Sequence, residues 1–361
     1  MIAGRAVPSL VIIGLVLLLA VGVWLLVGTP GSLVNEALPR LGTTPGAPDE
    51  TVLIQVEEGE NAGAIGAKLE QAEVIQSARH FRVLASLMGV SDRLEAGNYE
   101  FRLGGTALTA VRAISEGITV SLTITIPEGF RAEEFGELFE SRGIVTAEEF
   151  LGALSDSFTA SFLADLPPGS SLEGFLFPAT YTLPPEVSAH DAVQRLLSAF
   201  DQRYQEHILP LLAGSARPLL EVITLASIVE REARVPEERP VIASVFANRL
   251  ELGIALQADA TVQYALADDP ASVQQFGYWK RGLTIADLQT ASPYNTYVNP
   301  GMPPGPIANP GLDSILAALT PAETEFLYFV ARPDGSHVFA QTLEEHIRNV
   351  CEMNPGRPEC G

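Results

Sequence analysis

"LLEVITLASIVEREARV", Leu219 to Val235, is the stretch on which the reading of this chain turns. Apolar residues recur on nearly every side of a 3.6-residue period. The segment therefore predicts a helix buried almost all round, at the centre of a mainly helical domain. It then turns charged at Glu230, Arg231 and Glu232. On a helical wheel Glu230 shares a face with Leu219, Ile223, Ala226 and Ser227, while Glu232 sits over Leu225, Ile228 and Val229. Periodicity does not separate the two glutamates. A carboxyl on such a face loses hydration, which raises its pKa and keeps part of it protonated near neutrality, as a general acid requires. The plainer reading is a helix-edge ion pair between Glu230 and Arg234, one turn on.

The flanking sequence is helical as well. Ala189 to Leu212 and Glu238 to Leu252 carry the same period, with Gly253 placed to stop the second. "SVFANRLELGIALQADATVQYAL" (Ser244 to Leu266) sets Asn248 and Arg249 late on one helix. Gln257 and Asp259 come just before the next, where Asp259 or Thr261 is a candidate N-cap. "ASPYNTYVNPGMPPGPIANPG" (Ala291 to Gly311) gathers Tyr294, Asn295, Thr296 and Tyr297 beside a Pro/Gly loop. Such a surface suits a sugar, because tyrosine offers an apolar face and a hydroxyl together. "EFLYFVARPDGSHVFAQT" reads as a β-hairpin turning at Pro333-Asp334-Gly335.

The first half is organised differently. "VPSLVIIGLVLLLAVGVWLLVG" (Val7 to Gly28) is long and uncharged enough to cross a bilayer. It ends without a small-x-small cleavage site, which favours a retained anchor over a signal peptide. Arg5 before it places the N-terminus inside. Residues 29–50 are rich in Gly, Pro and Thr and read as a linker. Beyond them, "VLIQVEEGENAGAIGAKLEQAEVI" (Val52 to Ile75) echoes "LTITIPEGFRAEEFGELFESRGIV" (Leu122 to Val145), strand then helix in both. The expected fold class is α+β: a transmembrane helix, a small α/β module over 51–118, a mainly helical domain over 119–350 with a second small α/β unit at 119–165, and a tail.

Composition removes several functions. A net charge of −22 with no Lys/Arg stripe argues against nucleic acid as partner. Among 361 residues there is no G-x-x-x-x-G-K-[ST], H-E-x-x-H, G-x-S-x-G or S-x-x-K, and the five histidines lack metal-ligand spacing. With only Lys68 and Lys280, a pyridoxal-phosphate lyase is disfavoured, and no cofactor or metal is expected. Cys351 and Cys360, both in the tail, are spaced for a small disulfide loop or are two free thiols. Carboxylate chemistry remains.

"LASIVEREA", "FANRLELGIALQADATVQYAL" and "SPYNTYVNPGMPPGPIANPG", in this order and spacing, resemble the endolytic murein transglycosylases of the MltG (YceG-like) family. "ITIPEG", "LEGFLFPATY" and "YFVARPDGSHVFAQTLEEH" match as well, so the resemblance runs from about residue 50 to about 350. It implies a membrane anchor, a LysM-like module over 51–118 and a catalytic glutamate at the first acid of the S-I-V-E stretch, Glu230. It also implies cleavage between N-acetylmuramic acid and N-acetylglucosamine inside peptidoglycan strands, giving 1,6-anhydro ends. Arg249, Gln257, Asp259, Thr261, Tyr294, Asn295 and Tyr297 are the residues expected to bind the glycan. The resemblance places the enzyme at the outer face of the cytoplasmic membrane, with penicillin-binding proteins as partners. A non-catalytic wall-binding scaffold is the alternative. The sequence departs from the family at the cysteine tail and at Ile347, where asparagine commonly follows the histidine.

Overall fold

The computed structural model describes residues 51–119 and 121–353. The apolar run at 7–28, the linker and Cys360 lie outside them. Among the described residues no helix is long and apolar enough to cross a membrane. The chain divides into two compact units after Val120.

The first unit runs strand–helix–helix–strand–helix: β1 (Thr51–Val56), α1 (Ala62–Gln71), α2 (Ala78–Leu87), β2 (Gly97–Arg102) and α3 (Ala107–Ser115). β1 and β2 pair antiparallel with Ile54 opposite Tyr99, and the alternation along each strand turns Ile54, Val56, Tyr99 and Phe101 inward. Asn61 caps α1 by accepting from Gly63 N and Ala64 N, and Ser77 and Thr106 cap α2 and α3. Ile65, Leu69, Phe81, Val111 and Ile114 close the core beneath the two-stranded sheet.

The second unit opens with the echo of that start. β3 (Leu122–Thr125) leads through Gly129 into α4 (Ala132–Ser141) and α5 (Ala147–Ala153), with Phe135, Phe139 and Phe150 stacked between the helices. β3 finds its partner outside the 119–165 span. It pairs antiparallel with β4 (Thr180–Leu183), because Ile124 and Leu183 face the same core as Phe175 and Leu176. α6 (Ala189–Arg203) continues through a π-helical turn at Tyr204–Ile208 to Leu212.

At the centre lies α7 (Leu219–Glu232), with Leu219 and every residue from Val222 to Val229 buried. It packs against α8 (Arg239–Glu251), α9 (Asp259–Leu266) and, further on, α11 (Leu312–Leu319). Each fully buried Ile or Leu there contributes about 1.5–3 kcal/mol of hydrophobic stabilisation. The helix stops at Glu232, three residues short of Val235. Val235 precedes Pro236 and is extended, as a pre-proline residue is driven to be. Arg234 is thereby off the helix, and among the described residues no ion pair joins it to Glu230. α8 ends as its sequence predicts: Gly253 takes φ +68, and Gly253 N and Ile254 N donate to Leu250 O and Arg249 O.

α10 (Pro270–Phe276) and the Pro/Gly loop lead to α11, then to the β5 (Tyr328–Ala331) and β6 (His337–Ala340) hairpin and α12 (Leu343–Met353). The hairpin turns where expected, with Gly335 at φ +91 and Asp334 accepting from Ser336. Cys351, on α12, is disulfide-bonded. The architecture is α+β, mainly helical with small antiparallel sheets.

Candidate active site

Why does an apolar central helix end in three charges? The two glutamates answer differently. Glu230 has only 8% of its side chain exposed, and both its oxygens face cationic or hydrogen-bonding partners. Oε2 accepts from Gly311 N at 3.1 Å and from Ser314 Oγ at 2.7 Å, and Oε1 lies 3.6 Å from Arg239 Nη2. Gly311 is the N-cap of α11, so Glu230 supplies the carboxylate that satisfies that helix terminus and its dipole. Arg239 also donates through Nε to Ser314 Oγ at 3.0 Å. Glu230 is a clamp between α7, α8 and α11. Nearby Glu128 has its pKa raised, by burial first and then by the charge of Glu230.

Glu232 is the opposite case. Its Oε1 is enclosed and has no hydrogen-bond partner. Burial raises its pKa to about 7, helped by the charge of Asp259 and opposed by the Ala260 N–H and by Arg231 and Arg234. It borders a cavity of about 330 Å³ with Arg249, Gln257, Asp259, Tyr297, Tyr328 and His346. A carboxyl whose pKa is raised by burial, at the edge of a polar and aromatic cavity, is a candidate proton donor.

Four of the seven residues expected to bind glycan line this cavity: Arg249, Gln257, Asp259 and Tyr297. Arg249 donates to Leu256 O at 2.6 Å and to Gln257 Oε1 at 3.3 Å, with its guanidinium 5.1 Å from the Tyr328 ring centroid. Gln257 is held at φ +49, a left-handed conformation that costs a non-glycine residue about 1 kcal/mol or more and persists only where its surroundings impose it. Asp259 does not cap α9. Ala258 occupies the N-cap position without a side-chain bond, so the Asp259 carboxylate is free to accept from Tyr297 Oη at 2.6 Å. Burial, then that bond, push the Tyr297 phenol above its ordinary range, so it remains a donor.

Thr261, Asn295 and Tyr294 do not reach the cavity. Thr261 is fully buried, bonded to Ala258 O and Thr296 Oγ1, and ties α9 to the tyrosine loop. Asn295, also fully buried, donates to Leu288 O and Thr290 O and accepts from Tyr297 N, which orients Tyr297. Tyr294 packs on Tyr264, ring centroids 4.7 Å apart. These three set the shape of the loop instead of touching the open space. Their signal in the sequence, polarity beside proline, is the same for a supporting residue as for a binding one.

Long-range pins hold the loops in place. Gly129 N donates to Asn309 O, and Asn309 N to Phe130 O. The Asn309 side chain accepts from Gly174 N and Leu176 N and donates to Glu173 Oε1 at 2.6 Å. Ser227, the one hydroxyl in the last turns of α7, accepts from Ile307 N at 3.0 Å. Gly129 is at φ +78, and a Cβ there would sit 3.2 Å from Arg231 Nη1 and 3.4 Å from Glu230 Cγ, so only glycine lets this turn lie against the charged end of α7.

The chain matches the YceG-like family over residues 54–352. It is 32% identical over 310 residues to a Bacillus subtilis strain 168 protein named endolytic murein transglycosylase, covering 82% of this chain and 83% of that protein. It is 30% identical over 331 residues to a Streptococcus pneumoniae D39 protein of the same name, covering 83% of this chain but 58% of the longer protein. The crystal structure of a YceG-like protein from Listeria monocytogenes superposes with a TM-score of 0.55 at 32% identity, over 84% of this chain and 100% of that one.

Proposed function

The chain belongs to the YceG-like family, and from that premise we propose that it is an endolytic lytic transglycosylase of peptidoglycan with Glu232 as its acid and base. The bond cut is the β-1,4 link between N-acetylmuramic acid and N-acetylglucosamine. Glu232 gives its proton to the glycosidic oxygen as the C1–O bond breaks. The resulting carboxylate takes the proton of the muramyl C6 hydroxyl, whose oxygen closes on C1 to form the 1,6-anhydro ring. The sugar supplies its own nucleophile, so no second carboxylate is needed to position water or to form an ester. The observation that carries the reading is the unpartnered, enclosed Oε1 of Glu232 at the cavity edge.

The resemblance alone pointed to Glu230. We prefer Glu232 because it borders the cavity, whereas Glu230 is engaged through two hydrogen bonds to Oε2 and an ion pair at 3.6 Å from Oε1 to Arg239. Arg249, Gln257, Asp259 and Tyr297 are the proposed glycan contacts, with Thr261, Tyr294 and Asn295 as their supports. The strand–helix–helix–strand order of the first unit supports a LysM-like reading of that module. We place the enzyme outside the cytoplasmic membrane, anchored through residues 7–28, with penicillin-binding proteins as partners.

Digesting purified glycan strands with the full chain and weighing the products tests this. Internal cuts ending in 1,6-anhydro-muramic acid are expected. Reducing ends would indicate a hydrolase, and intact strands a wall-binding scaffold. The pH profile carries a second expectation. Because the acid must be protonated to donate, turnover falls as pH rises through about 7. Asp259→Asn removes a charge that raises the pKa of Glu232 while keeping an acceptor for Tyr297. Its alkaline limb moves to lower pH. An unmoved limb in that variant contradicts the assignment.

A further inference from the structure

A second cavity, of about 730 Å³, shares Asp259 with the first and is lined by Arg231, Arg234 and Arg281 beside Tyr278 and Trp279. In a chain with 44 acidic and 22 basic residues, arginines should find carboxylate partners easily. Among the described residues none of these three forms an ion pair. Arg231 is nonetheless fixed. Its Nη1 donates to Gly129 O at 3.1 Å and its guanidinium lies 3.6 Å from the Trp279 ring centroid, while its buried Nε has no partner. Trp279 is held in turn by Nε1 donating to Glu134 Oε2 at 2.9 Å. Arg234 and Arg281 are exposed at the same cavity. Planar guanidinium groups recognise carboxylates through paired N–H···O bonds. Asp259 and Glu134 at the same walls offset part of the positive charge, which suits singly charged carboxylates better than phosphate.

We propose that this cavity is a subsite for the carboxylate-bearing branch of the muramyl residue, bound by Arg231, Arg234 and Arg281. The inference rests on the reading of the chain as a peptidoglycan-cleaving enzyme. In that polymer the carboxylate belongs either to the stem peptide or, where the peptide has been removed, to the lactyl group itself. Because the cavity adjoins Glu232 through Asp259, a branch held here aligns the neighbouring glycosidic bond with the acid.

The test compares three substrates: strands with intact stems, strands stripped to the free lactyl carboxylate, and intact strands whose carboxylates have been amidated. The full chain should prefer carboxylate-bearing over amidated strands by about tenfold in kcat/KM, mostly through KM, a size expected of two partly exposed ion pairs. In the Arg234→Gln/Arg281→Gln double variant that preference should collapse toward unity. A preference confined to intact strands assigns the stem carboxylates, and one shared by stripped strands assigns the lactyl group. Equal rates on intact and amidated strands, or a preference the double variant keeps, overturns the proposal. Binding of N-acetylmuramyl-tripeptide, which has no glycosidic bond to cut, decides the subsite even if no strand is cleaved. About tenfold weaker binding by the double variant supports it, and equal binding rejects it. Absence of cleavage with any strand would count against the proposed activity, a separate failure.

Discussion

Glu232→Gln lowers the release of 1,6-anhydro products by roughly a hundred- to ten-thousandfold, the usual share of a general acid–base group. Glutamine keeps the shape and one acceptor oxygen but cannot donate a proton to the glycosidic oxygen or recover one from the C6 hydroxyl. The fold should not suffer. The carboxyl is enclosed with one oxygen unpartnered, so the native chain already bears the cost of burying it, and the neutral amide reduces that cost. Thermal unfolding of the variant at or above the wild-type midpoint, together with the loss of turnover, is the expected pair of results. A near-normal rate would return the chemistry to Glu230 or to Asp259.

Glu230→Ala has the opposite signature. It removes the acceptor for Gly311 N and Ser314 Oγ and leaves Arg239, only 12% exposed, facing Glu128 at 3.7 Å as its remaining ion-pair partner. Removing one partner of a buried ion pair costs about 3–5 kcal/mol. For a unit of this size that lowers the melting midpoint by roughly 10 °C. Glu230→Gln, which can still accept from Ser314, should cost less and should keep turnover within about tenfold of wild type when assayed well below its midpoint. Loss of turnover in Glu230→Gln with an unchanged midpoint would make Glu230 the acid after all. The two glutamates are thus separated by Glu232→Gln, expected to lose turnover at an unchanged or higher midpoint, and Glu230→Gln, expected to lose some stability and keep turnover.

Much of this arrangement was legible from residue order. The all-round apolar period of Leu219 to Glu232 announced a central helix, and Pro333-Asp334-Gly335 announced the hairpin that brings Tyr328 to the cavity. The difference in surroundings between Glu230 and Glu232 was not legible. It depends on Gly311 and Ser314, more than eighty residues further along the chain, and on where α7 stops before Pro236. Helical periodicity carries no information about such partners. The echo between the two strand–helix starts was visible, yet its useful difference was hidden. Asn61 caps its helix in the ordinary way. Arg131, at the matching position, is 2% exposed and lies 4.0 Å from the centroid of Tyr264, bonded to its carbonyl. An arginine at a helix start reads as surface charge until the partner that buries it is known. The arginines of the second cavity stay hidden for a related reason, since an unpaired cation and a paired one look alike in sequence.

Titrating the Glu232 carboxyl itself tests the central claim most directly. With glutamate labelled at its carboxyl carbon, the full chain should show one resonance titrating near pH 7 that is missing from Glu232→Gln and still present in Glu230→Gln. A Glu232 resonance that titrates in the ordinary carboxylate range would mean that no proton is held there at neutral pH. The acid would then have to be sought elsewhere.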